Sequence, residues 1–125
     1  MSITSKDSIN YDIVQGDTWT YQLQYGYQDE NDDETFYPTN ITGMTFRLEV
    51  RDRPAGKILC AVCTIGDGIT IVDAINGIID VEISPDKTQN FVYPRSAYQI
   101  QATDQYGAQD TWIQGWFKVN PGVIN

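Results

Sequence analysis

The sequence contains no histidine among its 125 residues. Histidine is the most frequent general base near neutral pH and a common zinc ligand, so the usual triads and zinc sites are excluded. Carboxylate and lysine chemistry stay formally possible. No apolar run approaches the ~18 residues of a membrane-spanning helix, and the first seven residues lack the apolar centre of a signal peptide. We therefore expect synthesis and folding in a reducing cytosol.

Basic residues are also scarce. The chain has 8 of them against 17 acidic residues, a formal net charge of −9. Nucleic-acid binding needs clustered lysine and arginine, and so does binding to an anionic membrane surface. The composition therefore predicts neither kind of partner. Hydrophobic residues make up 41% of the chain, which is typical of a folded globular protein.

The cysteines are two, Cys60 and Cys63, with the C-x-x-C spacing. A zinc site would need further ligands, and a redox pair belongs at the start of a helix. These two lie in the apolar segment 58–65, where residues three apart in a strand point to opposite faces. We therefore expect both to be small buried core residues, and no cofactor is implied.

The apolar residues recur with a period of two, which is typical of β-strands. Apolar and polar residues alternate in 18–25 and again in 44–51, while Asn76-Gly77 is a strong hairpin signal. Ser84 and Pro85 suit the cap and the first position of one short helical turn near 84–91. The pattern predicts an all-β fold, an immunoglobulin-like antiparallel β-sandwich of about 7–9 strands. We expect a single domain over 1–125, with an N-terminal arm (1–8) and a C-terminal tail (120–125).

A polar loop carries a cluster of carboxylates: Asp29, Asp32, Asp33 and Glu34. Such oxygens could gather around calcium, but the spacing and the central glycine of an EF-hand loop are missing. Paired carboxylates also serve glycoside hydrolysis, although neighbours in an exposed loop lack the burial that separates their pKa values. We interpret the loop as solvated and these residues as weak metal candidates.

Three aromatic residues on predicted strands are candidate contact residues: Tyr98, Trp112 and Trp116. Strict alternation along 111–119 places Trp112 and Trp116 on one face with Gln114 and Lys118, which suggests a partly wet surface. Tryptophan and tyrosine are favoured at protein interfaces because they bury a large area and keep a polar group. They could instead cover a sheet edge, form core or stack on a sugar.

The order of the short motifs resembles a known family over about residues 9–119. These motifs run from Ile13-Val14-Gln15-Gly16-Asp17-Thr18 through Ile41-Thr42-Gly43-Met44, Asp67-Gly68-Ile69-Thr70, Asn76-Gly77 and Ser84-Pro85 to Gly115-Trp116-Phe117-Lys118-Val119. They resemble small immunoglobulin-like β-sandwich proteins of tailed bacteriophages, such as the N-terminal domain of the baseplate upper protein and short adaptor or decoration proteins. The resemblance implies the bare domain, without the long C-terminal region of the baseplate upper protein, and no catalytic residues.

The resemblance implies a structural virion protein that acts in a tail, baseplate, collar, fibre anchor or capsid decoration. Its expected partners are other virion proteins in a symmetric homo- or hetero-oligomeric assembly, and its expected location is the virion after synthesis in the host cytoplasm. We expect no enzymatic activity. The alternative is a carbohydrate-binding module for host recognition, which would use the same exposed aromatic residues.

Overall fold

The computed structural model describes residues 2–4, 7–32, 34–91 and 94–122. Within them the chain forms eleven strands and one helical turn. In chain order these are β1 (Ser2–Thr4), β2 (Asp7–Ser8), β3 (Tyr11–Val14), β4 (Trp19–Gln28), β5 (Phe36–Pro38), β6 (Thr45–Arg51), β7 (Leu59–Ile65), β8 (Gly68–Asp73), β9 (Ile78–Ile83), α1 (Pro85–Thr88), β10 (Arg95–Thr103) and β11 (Gln109–Asn120). The prediction of an all-β fold with one short helical turn is confirmed.

The strands form one curled sheet in the order β1-β4-β9-β8-β7-β6-β10-β11-β2, with β3 also paired to β11 and β5 to β4. Strands β7 and β8 are joined by only two residue pairs, at the tight corner where Thr64 pairs with Gly68 and Ile65 with Ile69. The sheet bends there, so its two halves face each other across the core. A sandwich of two separate sheets was expected, whereas this corner keeps the hydrogen bonding continuous.

The N-terminal segment belongs to the sheet instead of forming a free arm, as far as it is described. Strand β1 pairs in parallel with β4, and β2 and β3 pair in parallel with β11. The sheet is therefore mixed, where the sequence predicted antiparallel pairing. Strands β1 and β2 have three and two residues, too few to show alternation, which is why the pattern did not reveal them. Of the predicted tail, Asn120 ends β11, while 123–125 lie outside the described residues.

Aromatic contacts between β4 and β11 join the two halves of the sheet. The ring centroids of Trp19 and Phe117 are 5.1 Å apart, and those of Tyr25 and Trp112 are 5.0 Å apart. Phe117 and Trp112 have no exposed surface. Burying a side chain of this size contributes about 1.5–3 kcal/mol or more, so each of these two rings stabilises the packing of the two halves.

A β-bulge turns Trp112 into the core. Ile100 of β10 pairs with Ile113, but the next residue, Gln101, pairs with Thr111. Trp112 is thus an extra residue on β11, and a bulge of this kind shifts the alternation of faces by one. Strict alternation had placed Trp112 on the outer face with Trp116. That assignment is wrong, because Trp112 is fully buried.

The helical turn α1 is held by contacts to three other parts of the chain. The Lys87 ammonium donates to the Val62 carbonyl at 2.9 Å and to the Asp67 carboxylate at 2.9 Å. The buried Thr88 hydroxyl donates to the Asp17 carbonyl at 2.8 Å and accepts from the Gly16 N–H at 3.1 Å. Ser84 is the N-cap as predicted, but its hydroxyl donates to the Asp86 carboxylate instead of capping the backbone.

The two cysteines are core residues, as predicted. Both are free thiols, Cys63 is completely buried and Cys60 nearly so. Burial raises the pKa of each thiol, and in Cys63 the nearby Lys87 ammonium only partly opposes the rise. They therefore lack the low pKa of a reactive cysteine. In the described part of the chain no helix is long and apolar enough to span a bilayer.

Candidate functional site

The outer surface of β6, β10 and β11 forms a shallow groove of about 460 Å³. The floor of the groove consists of rows of three residues, one from each strand, that lie side by side because the strands pair. One row is Arg51, Ala97 and Trp116, and the next is Glu49, Gln99 and Gln114. The small side chain of Ala97 between Arg51 and Trp116 leaves room in the groove. The loop after β6, with Arg53, Pro54 and Ala55, forms a wall.

All four arginines of the chain line this groove or the hollow beside it. Arg47, Arg51 and Arg53 line the groove, and Arg95 lines a neighbouring hollow that also contains Trp116 and Lys118. We call this surface the arginine face; its members are Arg47, Glu49, Arg51, Arg53, Arg95, Gln99, Gln101, Gln114, Trp116 and Lys118. It holds five of the eight basic residues of a chain whose net charge is −9.

Glu49 holds two of the arginines in place. Its carboxylate accepts from Arg47 at 2.7 Å and from Arg51 at 2.7 and 3.1 Å. These two guanidinium groups lower the pKa of the Glu49 carboxyl. Arg51 also donates to the Gly56 carbonyl at 3.1 Å, which ties the wall loop to the strand. The guanidinium groups are therefore pre-positioned, and Glu49 stays charged.

Trp116 separates the groove from the hollow beside it. The Arg95 guanidinium lies over the indole, 4.3 Å from the ring centroid, as a cation–π pair. The backbone N–H of Trp116 donates to the Asn10 side chain at 2.9 Å. The indole is half-buried, so it presents an apolar edge within an otherwise charged surface.

The structure separates the three aromatic residues that the sequence suggested as contact residues. Trp116 lies on the arginine face and is partly exposed. Trp112 has no exposed surface, and Tyr98 is 4% exposed. The Tyr98 ring stacks on Phe117 at 4.6 Å, and its hydroxyl donates to the Ile9 carbonyl. Trp112 is therefore a core residue with no surface to offer a partner, whereas Tyr98 is packed in the core and lines the groove only with the little surface that it exposes.

Three of the four weak metal candidates lie in an ordered loop between β4 and β5. The Asp29 carboxylate accepts from the Asn31 N–H at 2.8 Å and from the Tyr37 hydroxyl at 2.9 Å. The Asp32 carboxylate accepts from the Glu34 N–H at 2.9 Å and from the Thr35 hydroxyl. These hydrogen bonds lower the pKa of both carboxyls. The fourth candidate, Asp33, lies outside the described residues, and no group of three or more possible metal ligands comes together among the residues described.

The arginine face was missed at the sequence level, although one signal for it was present. The alternation in β6 places Arg47, Glu49 and Arg51 on one face, but solvated charges are common on the outer side of a strand. Arg53 and Arg95 are far apart in sequence and meet this face only through the fold. A second missed feature is the exposed pair Tyr27 and Tyr37, whose rings stack at 5.1 Å beside the acidic loop.

No protein-family model and no curated protein matches this chain. Among solved structures, the chain is similar to the N-terminal domain of phage TP901-1 ORF48, with a TM-score of 0.60 and 11% sequence identity. The match covers 95% of this chain and 94% of that domain. At this identity the likeness establishes a shared fold. The fold of this chain is therefore that of a phage protein domain, in agreement with the resemblance noted in the sequence.

Proposed function

We propose that this chain is a structural protein of a tailed bacteriophage and that it binds neighbouring virion proteins through its arginine face. The observation that carries the proposal is the likeness in fold to a phage domain over nearly the whole of both chains. Because a fold alone does not define a function, the proposal also draws on the chemistry of the arginine face.

The composition of the arginine face suits protein binding. Arginine and tryptophan are enriched where protein surfaces meet, and they often dominate the binding energy. Here Arg51 is held by Glu49 and by the wall loop, and Arg95 is held against Trp116. Side chains that are already positioned lose less conformational entropy on binding. The face therefore favours a specific contact with an acidic partner.

Catalysis at this face is disfavoured by its charge arrangement. A general base works best with a pKa near the working pH. The only carboxylate among the described residues that line the groove is Glu49, and the two guanidinium groups lower its pKa. Glu49 thus stays an ion-pair partner. We propose that the function is binding and that no reaction occurs at this face.

The carbohydrate-binding alternative depended on exposed aromatic residues. Two of the three candidates are buried, and Arg95 covers one face of the Trp116 ring. The glutamines Gln99, Gln101 and Gln114 could still donate hydrogen bonds to sugar hydroxyls. A glycan array separates the two functions, since a structural subunit gives no reproducible saccharide binding.

The proposal is tested by mass spectrometry of purified particles from cells that produce the chain. We expect the chain to co-purify with the particles at a fixed copy number. About 6 or 12 copies would indicate the tail end, and tens of copies a head or collar lattice, since closed symmetry sets such numbers. Absence from the particles would contradict the proposal.

A matched pair of variants tests the role of the arginine face. Arg53→Gln combined with Arg95→Gln removes two cations from the face, and we expect incorporation into particles to fall at least about tenfold, a change equivalent to about 1.4 kcal/mol. Lys57→Gln removes an exposed cation close by in sequence but outside the groove lining. We expect this control to be incorporated normally. Equal incorporation of all variants would show that another surface makes the contacts.

A further inference from the structure

We propose that the partner of the arginine face is a second copy of this chain, whose acidic loop (described residues 29–32 and 34) lies in the groove. The contact joins two different surfaces, so each copy offers one loop and one groove. Such a head-to-tail contact builds a ring when its rotation closes and a filament when it does not. This inference rests on the proposed function, because it names the partner of the same face.

The groove is complementary in charge to the loop. Five cations lie on the arginine face, with Glu49 and Asp52 as the carboxylates within ion-pair distance of them among the described residues. Because the chain as a whole has a net charge of −9, this positive face attracts the acidic surfaces that another copy of the chain presents. Complementary potentials guide encounter and set the register of a contact.

The described residues of the acidic loop are mostly exposed and charged, and hydrogen bonds hold them in place. Glu30, Asp32 and Glu34 are exposed, and the hydrogen bonds to Asp29 and Asp32 keep the pKa of both carboxyls low. Tyr37 donates to Asp29 and stacks on Tyr27, so two exposed aromatic rings lie beside the carboxylates. Tyrosine adds contact area to a charged loop at a small cost in side-chain entropy.

The loop lies far from the end of the groove that contains Trp116. Strand β4 runs from Trp19, which contacts Phe117, to Tyr25, which contacts Trp112, and then on to the loop. Trp116 is next to Phe117 in β11, and Phe117 contacts the first residue of β4. The groove row that contains Trp116 is therefore at the level where β4 starts. Since β4 has 10 residues at about 3.3 Å each, the loop is about 30 Å from that level. None of the ion pairs recorded between described residues joins the loop to the face. Within one copy the loop is therefore not paired with the Trp116 end of the face, and a second copy can supply the loop there.

Sedimentation of the full chain tests self-association. We expect concentration-dependent oligomers at about 0.1 M salt, where charges are screened beyond about 10 Å, and at least about tenfold weaker association at about 1 M salt, where that length is about 3 Å. A chain that stays monomeric up to about 1 mM at the lower salt concentration overturns the inference.

Charge reversal tests which surfaces meet. The groove variant is Arg53→Glu with Arg95→Glu, and the loop variant is Glu30→Lys with Glu34→Lys. Each variant alone faces a like charge in its neighbour, so we expect association to weaken at least about tenfold in both. A mixture of the two restores opposite charges at every contact, and we expect it to associate again. Circular dichroism melting confirms that each variant is folded.

A matched control changes the same net charge elsewhere. Asp80 and Glu82 are exposed on β9 and lie outside the arginine face and the loop. Asp80→Lys with Glu82→Lys should leave self-association unchanged. If the mixture of groove and loop variants fails to associate, the inference is wrong. If the chain is then still found in purified particles, the proposed function stands and the face binds a different acidic protein.

Discussion

Neighbouring residues of β10 and β11 point to two different surfaces, one that faces the core and one that faces solvent. The inner surface holds Tyr98, Trp112 and Phe117, all buried and in ring contacts, whereas the outer surface carries Arg95 and Trp116 among glutamines. The inner surface supplies stability through buried apolar area. The outer surface is held by charge pairs and a cation–π contact, which contribute little to stability when solvated. Folding and the proposed binding therefore depend on separate residues of the same strands.

Replacing the two tryptophans gives the largest contrast between the surfaces. Trp112→Ala empties a site with no exposed surface, so we expect the free energy of unfolding to fall by about 3–5 kcal/mol. Trp116→Ala removes a half-buried ring, and we expect a loss below about 1 kcal/mol. Urea denaturation followed by circular dichroism measures both. Equal losses would show that the two surfaces do not differ as described.

The contact between the N-terminal segment and β11 gives the next effect. A Cβ added at Gly115 would lie 2.0 Å from the Ile9 carbonyl oxygen, so the chain at Ile9 must move. That movement breaks the hydrogen bonds from Ile9 N–H to the Gln114 carbonyl and from the Tyr98 hydroxyl to Ile9. We expect Gly115→Ala to cost about 1–3 kcal/mol.

Hydrogen exchange sharpens this result. In Gly115→Ala the amide of Ile9 should lose protection, while the amides between β6 and β10 keep theirs. Gln114→Ala is the matched control, because its side chain is exposed on the outer surface. Unchanged protection at Ile9 in Gly115→Ala would contradict the close packing of this segment.

The ion pairs of Glu49 give the smallest effect, and that effect depends on pH. The pKa of Glu49 is lowered in the folded protein by Arg47 and Arg51, so the pairs stabilise above the ordinary carboxyl pKa and the stabilisation is lost as the pH falls through the lowered pKa. We expect Glu49→Gln to lose less than about 1 kcal/mol at pH 7 because these side chains are partly exposed. The loss should vanish in acid.

The measurement is a series of melting curves from neutral pH to about pH 2, so that it extends well below the ordinary carboxyl range. Glu82→Gln serves as the control, since Glu82 makes none of the ion pairs recorded between described residues. A difference between Glu49→Gln and the unchanged chain that persists in acid would mean that the carboxylate acts through something other than its charge.

The alternation of apolar and polar residues predicted correctly which residues face the core in regular strands. It failed where a bulge interrupts the strand. In β6 the inner residues Phe46, Leu48 and Val50 alternate with exposed or half-buried charges, and the structure confirms this pattern. In β11 the bulge at Trp112 interrupts the period, so counting by two assigned the wrong face. A bulge depends on the partner strand, and its position is not visible in one strand alone.

The candidate site was only partly accessible from the sequence. Trp116 could be proposed from its mixed neighbours, and Arg47 and Arg51 from the alternation in β6. Arg53 and Arg95 reach the same surface from segments separated by more than forty positions, brought together because β6 pairs with β10 and β10 with β11. The net charge of −9 argued against a cationic surface. This argument failed because a total does not show how the charges are distributed over the surface.

The sequence by itself determined the all-β class, the buried cysteines and the helical turn after β9, because these follow from local periodicity, small apolar side chains and a serine–proline start. Only the tertiary structure decided that Trp112 is core, that the N-terminal segment pairs with the sheet, and that the four arginines share one face. Each of these depends on which strands lie side by side. Pairing between distant segments is set by the packing of the whole chain, and no single segment encodes it.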